Sequence, residues 1–267
     1  MKRLYLTTLH EKERRNIVQK LEVIILNNRI ISFWSAGGST GKTTLAAAFT
    51  LALKKYKKDI VLADFKEVTP HIHRYFGLKL SDKSNIYEAV ENGSSTAEAV
   101  KEHLQKKQGI WILSGFGMND FAKFEEKHFS AVLEVLKNEF EYVVVDTNGG
   151  IFFSSTYTAL KNSDVIFAVT APTVWSIEDT AQMINFVSNR WGVEKEKFNA
   201  VLNAVSKEEV DTSTAEKILE IEAFSVRYGQ KNILKDVTKI AEFLLKKDIE
   251  KVIDIKRAEE AKSFGVN

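Results

Sequence analysis

Apolar residues gather in short runs at positions 29–34, 59–64, 109–113, 141–146, 165–170 and 198–205, and between these runs the apolar spacing changes to that of helices. Runs with little polar alternation mark strands buried on both faces. Such strands alternating with helices predict a parallel sheet covered on both sides. Helices are expected at about 43–58, 85–92, 96–107 and 125–138, and a charged one at about 246–262 whose main apolar residues are Ile249, Val252, Ile253 and Ile255. Ahead of the first strand, Ile17, Val18, Leu21, Ile24 and Ile25 recur at helical spacing. The expected architecture is α/β, a doubly wound, mainly parallel sheet with helices on both faces. Residues 1–28 are expected to form a helical extension and residues 29–267 one domain, since no linker composition divides them.

Between the first apolar run and an Ala-rich helix lies Ser35-Ala36-Gly37-Gly38-Ser39-Thr40-Gly41-Lys42-Thr43-Thr44. This order suits phosphate binding, because backbone N–H groups of a glycine turn and of the helix N-terminus converge on the phosphates while the strand holds them in place. Gly38 and Gly41 permit the turn, Lys42 brings a point charge to the β and γ phosphates, and the Thr43 hydroxyl suits Mg²⁺. The first glycine of the usual pattern is replaced by Ala36.

A second signal is Asp146, which directly follows an apolar strand and so falls at the carboxyl edge of the sheet, where such sheets bind ligands. It is placed to hold Mg²⁺ through water. Gly149 and Gly150 follow, and glycine there lets the backbone approach a γ-phosphate. Asp64 ends the neighbouring strand and is expected beside the same metal shell.

Composition adds boundaries. The 267 residues are 44% hydrophobic and 28% charged, enough for a large core. There is no cysteine, which excludes disulfides and thiolate metal sites and fits a reducing compartment. No apolar run reaches the roughly 18 residues of a membrane span, and the first residues lack a signal-peptide core. A cytoplasmic protein with no transmembrane segment is expected. The formal charge of +2 neither demands nor forbids nucleic acid. The lysines at 54, 55, 57 and 58 suit a helix C-terminus through its dipole as well as they would suit DNA. His71 and His73 would share a face on a strand, but with no cysteine or further clustered histidine they are not read as a metal site.

Taken together, the loop at 38–44, Asp64-Phe65-Lys66, Val143-Val144-Val145-Asp146-Thr147 with its glycine pair, Val169-Thr170-Ala171-Pro172 and Val201-Leu202-Asn203 resemble the ParA/MinD family of deviant Walker A P-loop ATPases. The resemblance covers about residues 29–250, and the segment 109–115 is most similar to the CpaE-like members associated with pilus assembly and secretion. It implies ATP and Mg²⁺ as ligands. Gly38, Ser39, Thr40, Gly41, Lys42, Thr43, Thr44 and Gly149 would hold the phosphates, Thr43 and Asp146 the metal, and Asn203 the adenine.

Lys42, Asp64 and Lys66 are the implied catalytic positions, and two departures from the family bear on them. Gly37 stands where the family places a signature lysine that reaches the partner subunit's nucleotide, and Lys66 where it places a water-orienting aspartate. Hydrolysis needs a positioned water and compensation of charge on the phosphoryl oxygens. Either turnover is lost, or Lys66 supplies near the γ-phosphate the cation missing at position 37. The implied function is a nucleotide-dependent switch with slow or impaired hydrolysis, controlling a protein partner and forming a nucleotide-dependent homodimer. The alternatives are a non-hydrolysing scaffold and a DNA-associated partition ATPase.

Overall fold

The computed structural model describes residues 29–57, 59–79, 86–91, 95–115, 121, 123–205 and 209–263. The helical extension expected over 1–28 lies outside the described residues. Two compact units are distinguished, one spanning Asn28–Ile240 and another whose described residues run from Ala241 to Ser263.

The strands are β1 (Arg29–Ser35), β2 (Ile60–Asp64), β3 (Leu104–Lys107), β4 (Ile110–Leu113), β5 (Tyr142–Gly149), β6 (Val165–Thr170), β7 (Phe198–Val205) and β8 (Ala223–Arg227). The helices are α1 (Lys42–Leu53), α2 (Ile72–Tyr75), α3 (Tyr87–Val90), α4 (Ala97–Lys101), α5 (Glu126–Glu139), α6 (Ser154–Asn162), α7 (Val174–Trp191), α8 (Thr212–Leu219) and α9 (Gln230–Ser263). They build one 8-stranded sheet of order β3-β4-β2-β5-β1-β6-β7-β8. Every neighbouring pair is parallel except β3 with β4. The fold is therefore the expected α/β, doubly wound and mainly parallel.

Strands β1, β2 and β5 are almost entirely buried, as apolar runs covered on both faces must be. On one face Phe33 and Phe167 meet Phe49 of α1, with ring centroids 5.4 and 5.4 Å from it. On the other, Val143 and Val145 pack with Phe129, Val132 and Leu136 of α5, and Trp34 packs with Ile177 and Ile184 of α7. The chain runs from β1 outward to β2 in one direction and later to β6 in the other, with β5 inserted between β1 and β2. This reversal leaves a crevice at the carboxyl ends of β1, β2 and β5, the place where open α/β sheets receive ligands.

Four sequence expectations are corrected. The helix expected over 96–107 stops at Lys101, and Leu104–Lys107 instead form an edge strand antiparallel to β4. Gln108 and Gly109, with φ of 49° and 78°, make the two-residue turn whose paired positive φ values match hairpin twist, and this pairing overrides the helical spacing. Lys106 and Lys107 on that edge oppose further strand pairing. Helix α1 ends at Leu53 rather than continuing through the lysines, so Lys54 to Tyr56 form a turn. His71 precedes and His73 lies within the single-turn α2, so the pair does not share a strand face. The charged C-terminal helix begins earlier than expected, at Gln230. Among the described residues no helix is long and apolar enough to cross a membrane.

Candidate functional site

The carboxyl end of β1 is fastened to that of β5: the Gly150 amide donates to the Ser35 carbonyl over 2.9 Å, and Trp34 Nε1 donates to the Gly150 carbonyl over 2.7 Å. From this anchor the chain turns through Ser39 and Gly41, both at positive φ (57° and 90°), into α1. Gly41 is the N-cap of α1, and no acidic residue occupies the first turn. The N–H groups of that turn have no intrahelical acceptors, and their dipole is uncompensated, so the helix end favours an anion. They border a cavity of about 390 Å³ lined by residues 38–44, Lys66, Thr69, His71, Asn148 and Gly149. Among the described residues no Asp or Glu lines it.

Two close approaches hold the loop. Gly149 lies against it, such that a Cβ there would stand 2.7 Å from the Gly37 carbonyl oxygen. Asn203, at the end of β7, donates from Nδ2 to the Thr40 carbonyl over 2.8 Å, and a Cβ on Gly41 would collide with that amide. The asparagine that the resemblance assigns to the base is held against the loop backbone in this way. At Gly37 a Cβ would meet nothing within 4 Å.

The charged groups form two sets. Lys42 Nζ donates to Ser35 Oγ over 2.7 Å, and Ser35 Oγ donates to the Gly37 carbonyl. Burial lowers the Lys42 ammonium to about 8, with Lys66 adding to the shift and Asp146 opposing it. In the second set the Thr43 hydroxyl donates to Asp146 Oδ2 over 2.7 Å, and Lys66 Nζ donates to both Thr43 Oγ1 and Asp146 Oδ2. Asp146 is fully buried, and its Oδ1 has no hydrogen-bond partner.

Asp64, fully buried, serves the backbone. Its Oδ2 accepts from the amides of His71 (2.6 Å) and Ile72 (2.9 Å), and its Oδ1 from the Lys66 amide (3.2 Å). Burial, and then the Asp146 carboxylate, push Asp64 up to about 7, against the opposing pull of Lys66 and of the two α2 amides.

The structure therefore brings together residues 38–44, Gly149, Lys66 and, behind them, Asp146, while Asp64 and Asn203 support the site from outside the cavity wall. Thr44 turns its hydroxyl to Tyr75 of α2. Sequence reasoning missed Ser35, Asn148 and Glu67. Glu67 is buried and accepts from Ser155 N (2.7 Å) and Ser154 Oγ (3.2 Å) at the start of α6. Asn148 Nδ2 donates to Ser155 Oγ over 3.2 Å. Ser35 and Asn148 adjoin recognised motifs, which was a usable signal; nothing about Glu67 in sequence distinguishes it from a surface acid.

Thr43 Oγ1 and Asp146 Oδ2 are the oxygen donors a hard divalent cation would require from the protein. The Lys66 ammonium is bonded to both, so the arrangement as it stands does not accept Mg²⁺ between them.

A glycine turn leading from a buried central strand into an uncompensated helix N-terminus, with a lysine at that helix's first position, defines a P-loop fold of the nucleoside-triphosphatase class. The AAA_31 family model, an AAA domain, matches residues 28–203, and the chain belongs to that family. An uncharacterized ATP-binding protein of Methanocaldococcus jannaschii is 25% identical over 208 residues, which are 73% of this chain and 72% of the relative. Among solved structures, the septum site-determining protein MinD of Pyrococcus horikoshii, complexed with Mg-ADP, superposes with a TM-score of 0.68 at 18% identity, over 81% of this chain and 95% of that one. The MinC:MinD cell division complex of Aquifex aeolicus gives a TM-score of 0.65 at 21% identity, over 81% of this chain and 96% of that one. At these identities the structural likeness establishes the MinD-type fold.

Proposed function

We propose that this protein binds ATP in the cavity above the α1 N-terminus and acts as a nucleotide-state switch that hydrolyses slowly or not at all. The observation that carries this is the cradle itself: residues 38–44 and Gly149 border a cavity whose described lining offers the loop backbone, hydroxyls, the Asn148 carboxamide, the His71 imidazole and the Lys42 and Lys66 ammonium groups, with no carboxylate among them. Such a lining suits a polyphosphate and, among the described residues, includes no acid to orient an attacking water. The M. jannaschii relative's designation as ATP-binding and the Mg-ADP held by the P. horikoshii MinD point the same way. Asp64 does not compensate for the missing acid, since both its oxygens are committed to backbone amides.

The switch reading extends to association with a second copy or a protein partner. Phe152 and Trp175 are 86% and 79% exposed, one following the glycine pair of β5 and the other at the start of α7. The MinD of A. aeolicus is found with a protein partner. The similarity to CpaE-like members suggests pilus assembly, secretion or cell organisation as the setting. A non-hydrolysing scaffold is the second reading, favoured by the absence of a carboxylate among the described cavity residues.

Calorimetric titration with ATP and ADP, for the parent and Lys42→Ala, tests nucleotide binding. The expected result is micromolar ATP binding that is lost in the variant. Absence of heat at two temperatures for both nucleotides would remove the nucleotide-switch reading and leave the scaffold.

A further inference from the structure

Resting on the nucleotide-site reading above, we propose that the Lys66 ammonium takes the place of the divalent cation, so that the protein holds its nucleoside triphosphate without Mg²⁺. In a P-loop site the hydroxyl after the loop lysine and the strand-end carboxylate are the protein's hold on the metal. Here those groups are Thr43 Oγ1 and Asp146 Oδ2, 2.7 Å apart, and Lys66 Nζ is bonded to both. An ammonium has three N–H donors. Two are used within the protein, and since Lys66 also lines the cavity, the third is available to a phosphate oxygen.

The lysine is built into this position. Its amide donates to Asp64 Oδ1 over 3.2 Å, and the preceding amide, Phe65 N, donates to the Asp146 carbonyl over 2.9 Å. The following residue, Glu67, is held by the Ser155 amide, and the Phe65 side chain is fully buried against Phe129. Backbone and neighbours thus hold the lysine on the cavity wall, and its side chain is itself nearly enclosed. The charge is also accounted for. One ammonium already faces the Asp146 carboxylate, and a metal entering the same position would meet that ammonium at contact distance. Together Lys42 and Lys66 give the cavity wall two cations at the phosphate end with no ion added.

The test is ATP affinity measured by calorimetry in excess EDTA and in excess Mg²⁺, for the parent and for Lys66→Met, which keeps the chain length and removes the charge. The parent is expected to bind with dissociation constants within about threefold of each other in the two conditions, and Lys66→Met about tenfold or more weaker in EDTA with recovery in Mg²⁺. A parent affinity that rises about tenfold or more with Mg²⁺ would overturn the proposal, because Lys66 would then be yielding its place to the metal. That comparison needs no variant and stands even if Lys66→Met does not fold. Failure of the parent to bind in either condition would instead strike the nucleotide-site reading itself, a different outcome from Mg²⁺-dependent binding.

Discussion

Gly149 sits against the backbone of Gly37 across the β1–β5 pair, so close that a side chain on it would stand 2.7 Å from the Gly37 oxygen and 3.0 Å from its carbonyl carbon. The contact is backbone on backbone, so nothing flexible can yield. Gly149→Ala is expected to displace the loop, to weaken ATP binding about tenfold or more, and to cost about 1–3 kcal/mol of stability. Calorimetry and urea denaturation measure the two effects separately.

Asp64 organises the turn between β2 and α2. Asp64→Ala would leave the His71, Ile72 and Lys66 amides without their acceptor, for an expected loss of about 2–4 kcal/mol in denaturant unfolding.

The same residue gives a pH signature. Its folded carboxyl is pushed up from 3.8 to about 7, so between those values the folded state binds the proton that the unfolded state has released. Its contribution to stability is therefore full below about 4 and shrinks as pH rises to about 7. The stability difference between the parent and Asp64→Asn should narrow over that interval in denaturation curves taken at successive pH values.

Lys42 predicts a dependence of opposite location. With its ammonium lowered to about 8 in the free protein, ATP must restore the proton above that pH, and affinity should fall up to about tenfold per pH unit from there. Titrations of the parent in two buffers of different ionisation enthalpy should show uptake of about one proton at pH about 9, falling away below pH about 7.

Gly37 has open space around it and Lys66 is bonded to Thr43 and Asp146, so introducing the residues that the sequence resemblance implies at these positions is sterically reasonable at the first and changes the charge at the metal ligands at the second. Gly37→Lys combined with Lys66→Asp is expected to release phosphate from ATP faster than the parent in Mg²⁺, measured by a coupled phosphate assay. Equal rates would mean that some other feature limits turnover.

Much of the site's outline was legible because it is local. The strand–glycine loop–helix order occupies consecutive residues, and the acid closing β5 follows an apolar run that only a buried central strand explains. What could not be read is the partner of Lys66: Thr43 and Asp146 lie far from it in sequence, and a lysine among polar neighbours looks solvated until the sheet order brings β2 beside β5. Asp64 shows the same limitation, since its position at a strand end was clear but its service to the α2 amides depends on how residues 65–72 fold back. Strand β3 was misread because Leu104 and the residues before it fit helical spacing, and the Gln108-Gly109 turn that reverses the chain was overlooked. Strand β8 was passed over because it is short and only weakly apolar, with Ala223 and Val226 its buried residues.

The stretch from Asp64 to Glu67 has every member fastened: Asp64 to the start of α2, Phe65 to the Asp146 carbonyl, Lys66 to Thr43 and the Asp146 carboxylate, and Glu67 to the start of α6. It behaves as a taut cord with no slack between its knots. Lys66 on the cavity wall and Glu67 at the start of α6 are adjacent residues, so a single peptide link joins the phosphate cradle to the seat of that helix.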